Sequence, residues 1–103
     1  MNKIILFIAV VFLSSGAFGF NEYCSVKQNN LALFTFAQAG AIPVEGVRLV
    51  RSEEVKLTED LRVNEVFVEG ERSRRGTTQM SYRIQAVKTD QFGNCDVELV
   101  SKI

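Results

Sequence analysis

The chain has 103 residues, with 12 basic side chains, 12 acidic side chains and no histidine. This balance of charge argues against a general nucleic-acid-binding protein, because such proteins carry a basic excess. Without histidine, the chain cannot form a histidine-dependent catalytic triad or an imidazole metal site. The length allows one domain, and so small a domain is marginally stable unless a crosslink or a metal supports its core.

The first residues of the chain have the pattern of a secretory signal peptide. Lys3 is followed by the unbroken apolar run Ile4–Leu13 and then by small residues up to Gly19. These small residues allow cleavage after Ala17 or after Gly19, and we favour Gly19. An uncleaved anchor is the alternative, but the apolar run is shorter than the roughly 20 residues that a membrane-spanning helix needs. We therefore predict a signal peptide over residues 1–19 and a secreted or periplasmic domain over residues 20–103, with no membrane insertion after cleavage.

The two cysteines of the chain, Cys24 and Cys95, are predicted to form a disulfide. Export brings the chain to a compartment in which disulfides persist, and an even number of cysteines leaves no free thiol. A crosslink between positions so far apart contributes about 4 kcal/mol, which is comparable to the whole stability of a small domain. A redox-active pair is the alternative, but such pairs are usually spaced as C-x-x-C. The prediction is a structural disulfide.

The segment Leu31–Ala37 is almost wholly apolar and contains aromatic residues, which favours a buried strand. A helix over residues 30–39 is the alternative. Asn30 is a suitable helix N-cap, the alanines favour a helix, and Gly40 stands where a helix often ends. Periodicity alone does not decide between a strand and a helix in so short a run.

The next part of the chain has the pattern of strands joined by short connections. A loop is expected over residues 40–46, and strands are expected over Val47–Val50, Val55–Leu57 and Leu61–Glu69. In the last of these strands, the apolar residues change from odd to even positions. This change predicts a β-bulge near Asn64 and Glu65.

The final segments predict a β-hairpin. Thr78–Lys88 alternates between apolar and polar residues, Asp90–Asn94 has the composition of a turn, and Cys95–Leu99 alternates again. Short connections favour an antiparallel meander. We therefore predict an all-β fold, a small antiparallel sandwich or partly open barrel of about five or six strands. The alternative is an α+β fold in which residues 30–39 are helical.

Arginines are concentrated between the two longest predicted strands. Arg72, Arg74 and Arg75 fall within the segment Gly70–Gly76, where a hairpin tip would expose their guanidinium groups. The planar donor groups of arginine suit carboxylate, phosphate or sulfate, so these residues are the candidate site for an anionic ligand or a partner. A solvated turn is the plain alternative. Arg72-Ser73-Arg74-Arg75 also resembles the R-x-R-R sites that furin-like convertases cleave.

Four carboxylates lie close together in sequence, at Glu53, Glu54, Glu59 and Asp60. Glycosidase-type chemistry needs two carboxylates in a cleft, one of them with a raised pKa. Basic residues stand among these acids, so a solvated charged surface is the expectation and a small carboxylate-dependent hydrolase is the alternative. We predict no metal site and no cofactor, because histidine is absent and both cysteines are expected to be bonded.

Export, small size and a crosslink, without recognisable catalytic groups, predict a non-enzymatic binding or interaction module, for example an inhibitor or an envelope accessory protein. The expected partner is a protein or an anionic ligand, and nucleic acid is not expected. A hydrolase that uses carboxylates alone and a structural component of the cell envelope are the alternatives.

Overall fold

The computed structural model describes residues 19–71 and 76–102. Helix α1 spans Tyr23–Gly40 and a 3-10 turn spans Val44–Gly46, after which strands β1 (Val47–Leu57), β2 (Leu61–Glu71), β3 (Thr77–Lys88) and β4 (Cys95–Lys102) follow. The strands form an antiparallel sheet in the order β1-β2-β3-β4. Helix α1 packs across one face of this sheet, which we call the inner face, and the opposite face is the outer face. The predicted signal peptide, apart from Gly19, lies outside the described residues.

This architecture confirms a small, β-rich, antiparallel fold and corrects its composition. The sheet has four strands rather than five or six. The preferred strand over Leu31–Ala37 is wrong because this segment belongs to α1, and the helical alternative over residues 30–39 is correct but too short. The residues of α1 that face the sheet recur every four positions, at Cys24, Gln28, Ala32 and Phe36. One of them is polar, so the apolar pattern hid the helical period.

The start of α1 is fixed by the residues that precede it. The Tyr23 N–H donates to Oδ1 of Asn21 at 2.9 Å, and the Asn21 N–H donates to the Gly93 carbonyl in the β3–β4 turn at 2.8 Å. Gly93 has a φ of +86°, and a Cβ at this position would lie 2.8 Å from the backbone nitrogen of Asn21. Only glycine therefore fits where the turn meets the start of the domain. Asn30, the N-cap expected for the shorter helix, lies inside α1.

The end of α1 is a Schellman motif. The Ile42 N–H donates to the Ala37 carbonyl at 3.0 Å, and the Ala41 N–H donates to the Gln38 carbonyl at 3.3 Å. The left-handed position of the motif is Ala41, with φ 52° and ψ 42°. Gly40 is instead the last helical residue, so the helix ends one residue later than the glycine suggests.

Strand β1 is continuous, although the sequence predicts two separate strands over residues 47–50 and 55–57. Its pairing with β2 shifts between Leu49 and Arg51 and again between Glu54 and Lys56. These shifts are two β-bulges, which bend and twist the strand without ending it.

Strand β2 has no bulge where the sequence predicts one. It pairs with β3 without a shift along its whole length, so the bulge expected near Asn64 and Glu65 is wrong. Arg62 and Asn64 are buried on the same inner face as Val66 and Val68. The change in apolar positions therefore reflects buried polar residues and not a change of face.

The apolar core lies between α1 and the inner face of the sheet. Its buried members are Ala32, Phe36, Ala37, Val47, Val66, Val68, Tyr82 and Ile84. The helix approaches the sheet closely at Gly70, where a Cβ would lie 3.0 Å from a ring carbon of Phe36 and 2.9 Å from the Gly46 carbonyl oxygen. Burial of a side chain as large as phenylalanine contributes about 2–3 kcal/mol, so apolar contact holds this end of the helix.

A disulfide crosslinks the other end of α1 to the sheet. The Cys24–Cys95 bond, with an S–S distance of 2.11 Å and a Cα–Cα distance of 6.1 Å, confirms the predicted pairing. Phe20 and Ala86 pack beside it in a second buried cluster. The predicted hairpin is also confirmed, since β3 and β4 pair antiparallel on either side of the turn at residues 90–94. The disulfide therefore joins the first turn of α1 to the first residue of β4.

Candidate binding surface

The four carboxylates singled out in the sequence are not gathered into a cleft. Glu53 and Glu54 are consecutive and exposed on β1, so their side chains leave opposite faces of the sheet. Glu53 accepts a hydrogen bond from Nε of Arg51 at 2.9 Å. Glu59 and Asp60 are exposed in the turn between β1 and β2. Glu53 and Glu54 therefore do not face each other, as the pair of carboxylates for hydrolysis of this kind would.

A hollow at one end of the sheet is lined by the 3-10 turn and by the ends of β1, β2 and β3. Glu69 in its wall is buried and accepts hydrogen bonds from Nε2 of Gln79 at 3.0 Å and from Nε of Arg48. The hydrogen bond from Gln79, together with that from Arg48, holds the pKa of Glu69 below its usual range. A general acid for hydrolysis needs a raised pKa, so Glu69 is an ion-pair partner and not a candidate acid.

The predicted arginine site is next to this hollow in the chain but outside the described residues. Glu71, the last residue of β2, pairs with Thr77, the first residue of β3, so the connection between these strands contains Arg72, Arg74 and Arg75. Anion binding by these three arginines therefore stays a prediction.

The two edge strands of the sheet, β1 and β4, differ in how well they are protected. An edge strand presents unpaired backbone groups, and charged residues or β-bulges keep other chains from pairing with it. Strand β1 has both, with two bulges and charged side chains at five of its 11 positions. Strand β4 pairs with β3 in regular register from Cys95 to Leu99. Strand β4 has charged side chains at three of its eight positions and a single register shift, just after Leu99, so it is less strongly protected than β1.

On the outer face, the β4 edge has two exposed carboxylates, Asp96 and Glu98. Neither forms an ion pair with another residue of the described ranges. Glu98 accepts a hydrogen bond from the neutral amide of Gln85. Elsewhere on the same face, Glu65 pairs with Arg83 at 3.7 Å. The β4 edge thus carries negative charge that the described residues do not neutralise.

On the inner face, the same edge is apolar and incompletely covered. Val97 is half-buried, whereas Leu99, which pairs with Ile84 of the inner face, is 43% exposed. The cause is the course of α1, which starts at the disulfide beside β4 and ends where Phe36 meets Gly70 of β2. The helix crosses the sheet diagonally and leaves the second half of β4 bare.

The side of α1 that faces β4 also carries apolar residues. Nζ of Lys27 donates to the Cys95 carbonyl at 2.9 Å, which places this side of the helix next to β4. Leu31 and Phe34 follow Lys27 at spacings of four and seven residues and therefore lie on the same side. Leu31 is half-buried against the core, whereas Phe34 is 56% exposed. Phe34 thus adds an exposed aromatic ring on the β4 side of the helix.

We define the β4 edge surface as Leu31 and Phe34 of α1 together with Asp96, Val97, Glu98 and Leu99 of β4. A hollow lined in part by the first three of these β4 residues opens at this edge. The surface is apolar on the inner side and acidic on the outer side. The alternation of residues 95–99 is visible in the sequence, but the edge position of this strand and the incomplete cover of the helix are not.

Comparison with known proteins gives no relative: no protein-family model, no curated protein and no solved structure matches the chain. In the described part of the chain, no helix combines the length and the apolarity needed to cross a membrane. Across residues 19–71 and 76–102, no group of three or more potential ligand side chains is arranged to hold a metal ion.

Proposed function

We propose that this chain is an exported, non-enzymatic binding module that holds a partner at the β4 edge surface. The observation that supports this most is the combination of exposed apolar side chains and uncompensated carboxylates on an open strand edge. Natural sheets usually protect such an edge, and an exposed apolar patch rimmed by polar groups is typical of an interaction site. Burial of Leu99 and Phe34 by a partner would supply binding free energy.

Secretion or transport to the periplasm is part of this proposal. It is supported by the signal-peptide pattern of residues 1–19 and by the Cys24–Cys95 disulfide, since structural disulfides persist in oxidising compartments. The folded domain also includes Phe20, which is buried beside the disulfide. The favoured cleavage after Gly19 keeps Phe20 in the exported form.

The other functions considered from the sequence stay predictions. A hydrolase would need two acids of the 53–60 segment in one cleft. A structural role in the envelope would be recognised by copy number and assembly, not by particular residues. Arg72, Arg74 and Arg75 remain the candidate site for an anionic partner. Their charge is opposite to that of the β4 edge surface, so the two sites would bind different chemistry.

The test of the proposal compares two leucines at matching places on the two edge strands. Leu99 of β4 and Leu49 of β1 both belong to the inner face and are 43% and 41% exposed. The partner is first captured from the native compartment with the immobilised exported form of the chain. Titration with the purified partner then measures the affinity of each variant. Leu99→Ser should weaken binding about tenfold, because burial of part of a leucine contributes about 1.4 kcal/mol. Leu49→Ser should leave the affinity unchanged.

Thermal unfolding separates this effect from damage to the fold, since both substitutions replace partly exposed side chains and should change stability by a similar, small amount. Wild-type affinity in Leu99→Ser, or an equal loss of affinity in both variants, would rule out the β4 edge surface as the binding site.

A further inference from the structure

We infer that the β4 edge surface binds an extended segment of another protein, which adds to the sheet as a fifth strand and alternates between basic and apolar residues. This inference rests on the proposed function and specifies the chemistry of the partner. In strand addition, backbone hydrogen bonds hold the incoming segment on an open edge. Its alternate side chains then contact the two faces of the sheet, and these contacts give specificity.

The regular edge available to such a segment is short. At its start, the Cys95 carbonyl already accepts a hydrogen bond from Nζ of Lys27 at 2.9 Å. At its end, the register between β3 and β4 shifts just after Leu99. The open stretch therefore runs from Asp96 to Leu99, and the recognised segment has a core of about four residues.

Charge determines one face of the incoming segment. Asp96 and Glu98 are two residues apart on the outer face, which separates their positions by about 7 Å. Basic residues two positions apart on an antiparallel neighbour have the same spacing and lie opposite these carboxylates. The intervening side chains of the segment point to the inner face, to which the exposed Leu99 belongs, and apolar residues suit this face.

A second copy of this chain is a poor occupant of the same edge. Two-fold symmetric pairing of β4 with β4 would place Asp96 and Glu98 of both copies on one face, where opposed carboxylates repel. Strand β1 of another copy contains basic residues, but its register shifts at Val50 and Val55 interrupt a regular ladder. The partner is therefore a different protein.

The test titrates the exported form of the chain with a short, end-blocked peptide of alternating lysine and valine. We expect binding by calorimetry and changes in the amide NMR signals of β4 rather than β1. A peptide of the same composition with its lysines and valines in two blocks cannot present one apolar and one basic face as a strand. The alternating peptide with every second amide N-methylated cannot donate the edge hydrogen bonds. Both control peptides should fail to bind.

Charge-neutral variants test the electrostatic part of the inference. Asp96→Asn combined with Glu98→Gln should weaken binding of the alternating peptide about fivefold, since each exposed ion pair contributes only modestly. The difference from wild type should shrink as salt is added. Glu59→Gln combined with Asp60→Asn removes the same charge from the β1–β2 turn and should leave the affinity unchanged.

The outcomes separate this inference from the proposed function. Equal binding of a control peptide, or no effect of the Asp96 and Glu98 variant, overturns the inference. Failure of the alternating peptide to bind also overturns it, but the proposed function stands if the purified partner still depends on Leu99. If the partner is insensitive to Leu99→Ser, the proposed function fails as well.

Discussion

Helix α1 meets the sheet in two halves that are built differently. In the second half, Ala32 and Phe36 are fully buried in the apolar core. In the first half, the buried position one turn earlier is Gln28, and Cys24 at the start is held covalently. Apolar contact requires only matching shapes, whereas a buried amide requires that its polar groups be paired. The first half therefore depends on specific partners in a way that the second half does not.

We call the first half of α1, with Cys24 and Gln28, the polar half and the second half, with Ala32 and Phe36, the apolar half. Gln28 and Arg62 are at the centre of the polar half. Nε2 of Gln28 donates to the carbonyls of Arg62 at 3.2 Å and Ile84 at 2.8 Å, and its Oε1 accepts from Nε of Arg62 at 3.3 Å. The same guanidinium donates to Oγ of Ser25 at 2.8 Å and lies 5.3 Å from the ring centre of Phe20. Loss of one member leaves the others unsatisfied, so this network sets the position of the helix more strictly than apolar packing does.

The largest effect on stability is expected from loss of the disulfide, which bonds the start of the polar half to β4. Replacement of both cysteines, Cys24→Ala with Cys95→Ala, should lower the free energy of unfolding by about 4 kcal/mol. The reason is that the bond joins residues with a sequence separation of 71 and so restricts the unfolded chain. Urea denaturation measures this loss. Amide hydrogen exchange should rise more over residues 23–30 than over residues 31–40, because the bond holds the first half directly.

Reduction of the wild-type protein is the matched control, because it opens the same bond without a change in side-chain volume. It should reproduce the loss seen in the double variant. A loss below about 1 kcal/mol, or an even rise in exchange along α1, would mean that the noncovalent contacts hold the first half without the bond.

The same contrast explains how much of the fold the sequence predicts. The β3–β4 hairpin was predictable because its buried apolar residues alternate, as at Tyr82 and Ile84, and Ser81 is the one buried polar residue of β3. The helix was predictable only as an alternative. Gln28 interrupts the apolar period in the first half, and in the second half Phe34 is exposed although Phe36 is buried. When apolar residues occur on all sides of a segment, the sequence does not show which side of the helix is buried.

Of the candidate site, the sequence predicts only that residues 95–99 form a strand. The alternation of Asp96 and Glu98 with Val97 and Leu99 indicates two faces, but the strand order that makes β4 an edge is a property of the tertiary structure. The exposure of Leu99 depends in turn on the diagonal course of α1. That course is set by the disulfide at one end and the close approach at Gly70 at the other, and no local pattern encodes either contact.

A smaller loss of stability is expected when one member of the hydrogen-bond network in the polar half is removed. Gln28→Met preserves the length of the side chain but removes its amide, so Arg62 loses an acceptor and two backbone carbonyls lose a donor. Chemical denaturation should show a decrease of about 2 kcal/mol in the free energy of unfolding, the usual scale for buried polar groups left unpaired.

Gln38→Met is the matched control, since Gln38 is exposed near the end of the same helix. The same change there should alter stability by less than about 0.5 kcal/mol. Gln28→Met combined with Arg62→Met should destabilise the domain by less than the sum of the two single changes, as expected for coupled partners. Strictly additive losses would contradict the dependence of Gln28 and Arg62 on each other.

The smallest effect on stability is expected at the end of the apolar half, where a substitution should stabilise the domain rather than destabilise it. Ala41 occupies the left-handed position that ends α1, with φ 52° and ψ 42°, where a Cβ is unfavourable. Ala41→Gly removes that Cβ and should raise the free energy of unfolding by up to about 1 kcal/mol, although the freedom of glycine in the unfolded chain reduces the gain. Ala39→Gly lies inside the same helix and, as the control, should lower stability by about 0.5–1 kcal/mol. Thermal unfolding of the two variants compares these signs, and a destabilising Ala41→Gly would show that the end of the apolar half holds no backbone strain to relieve.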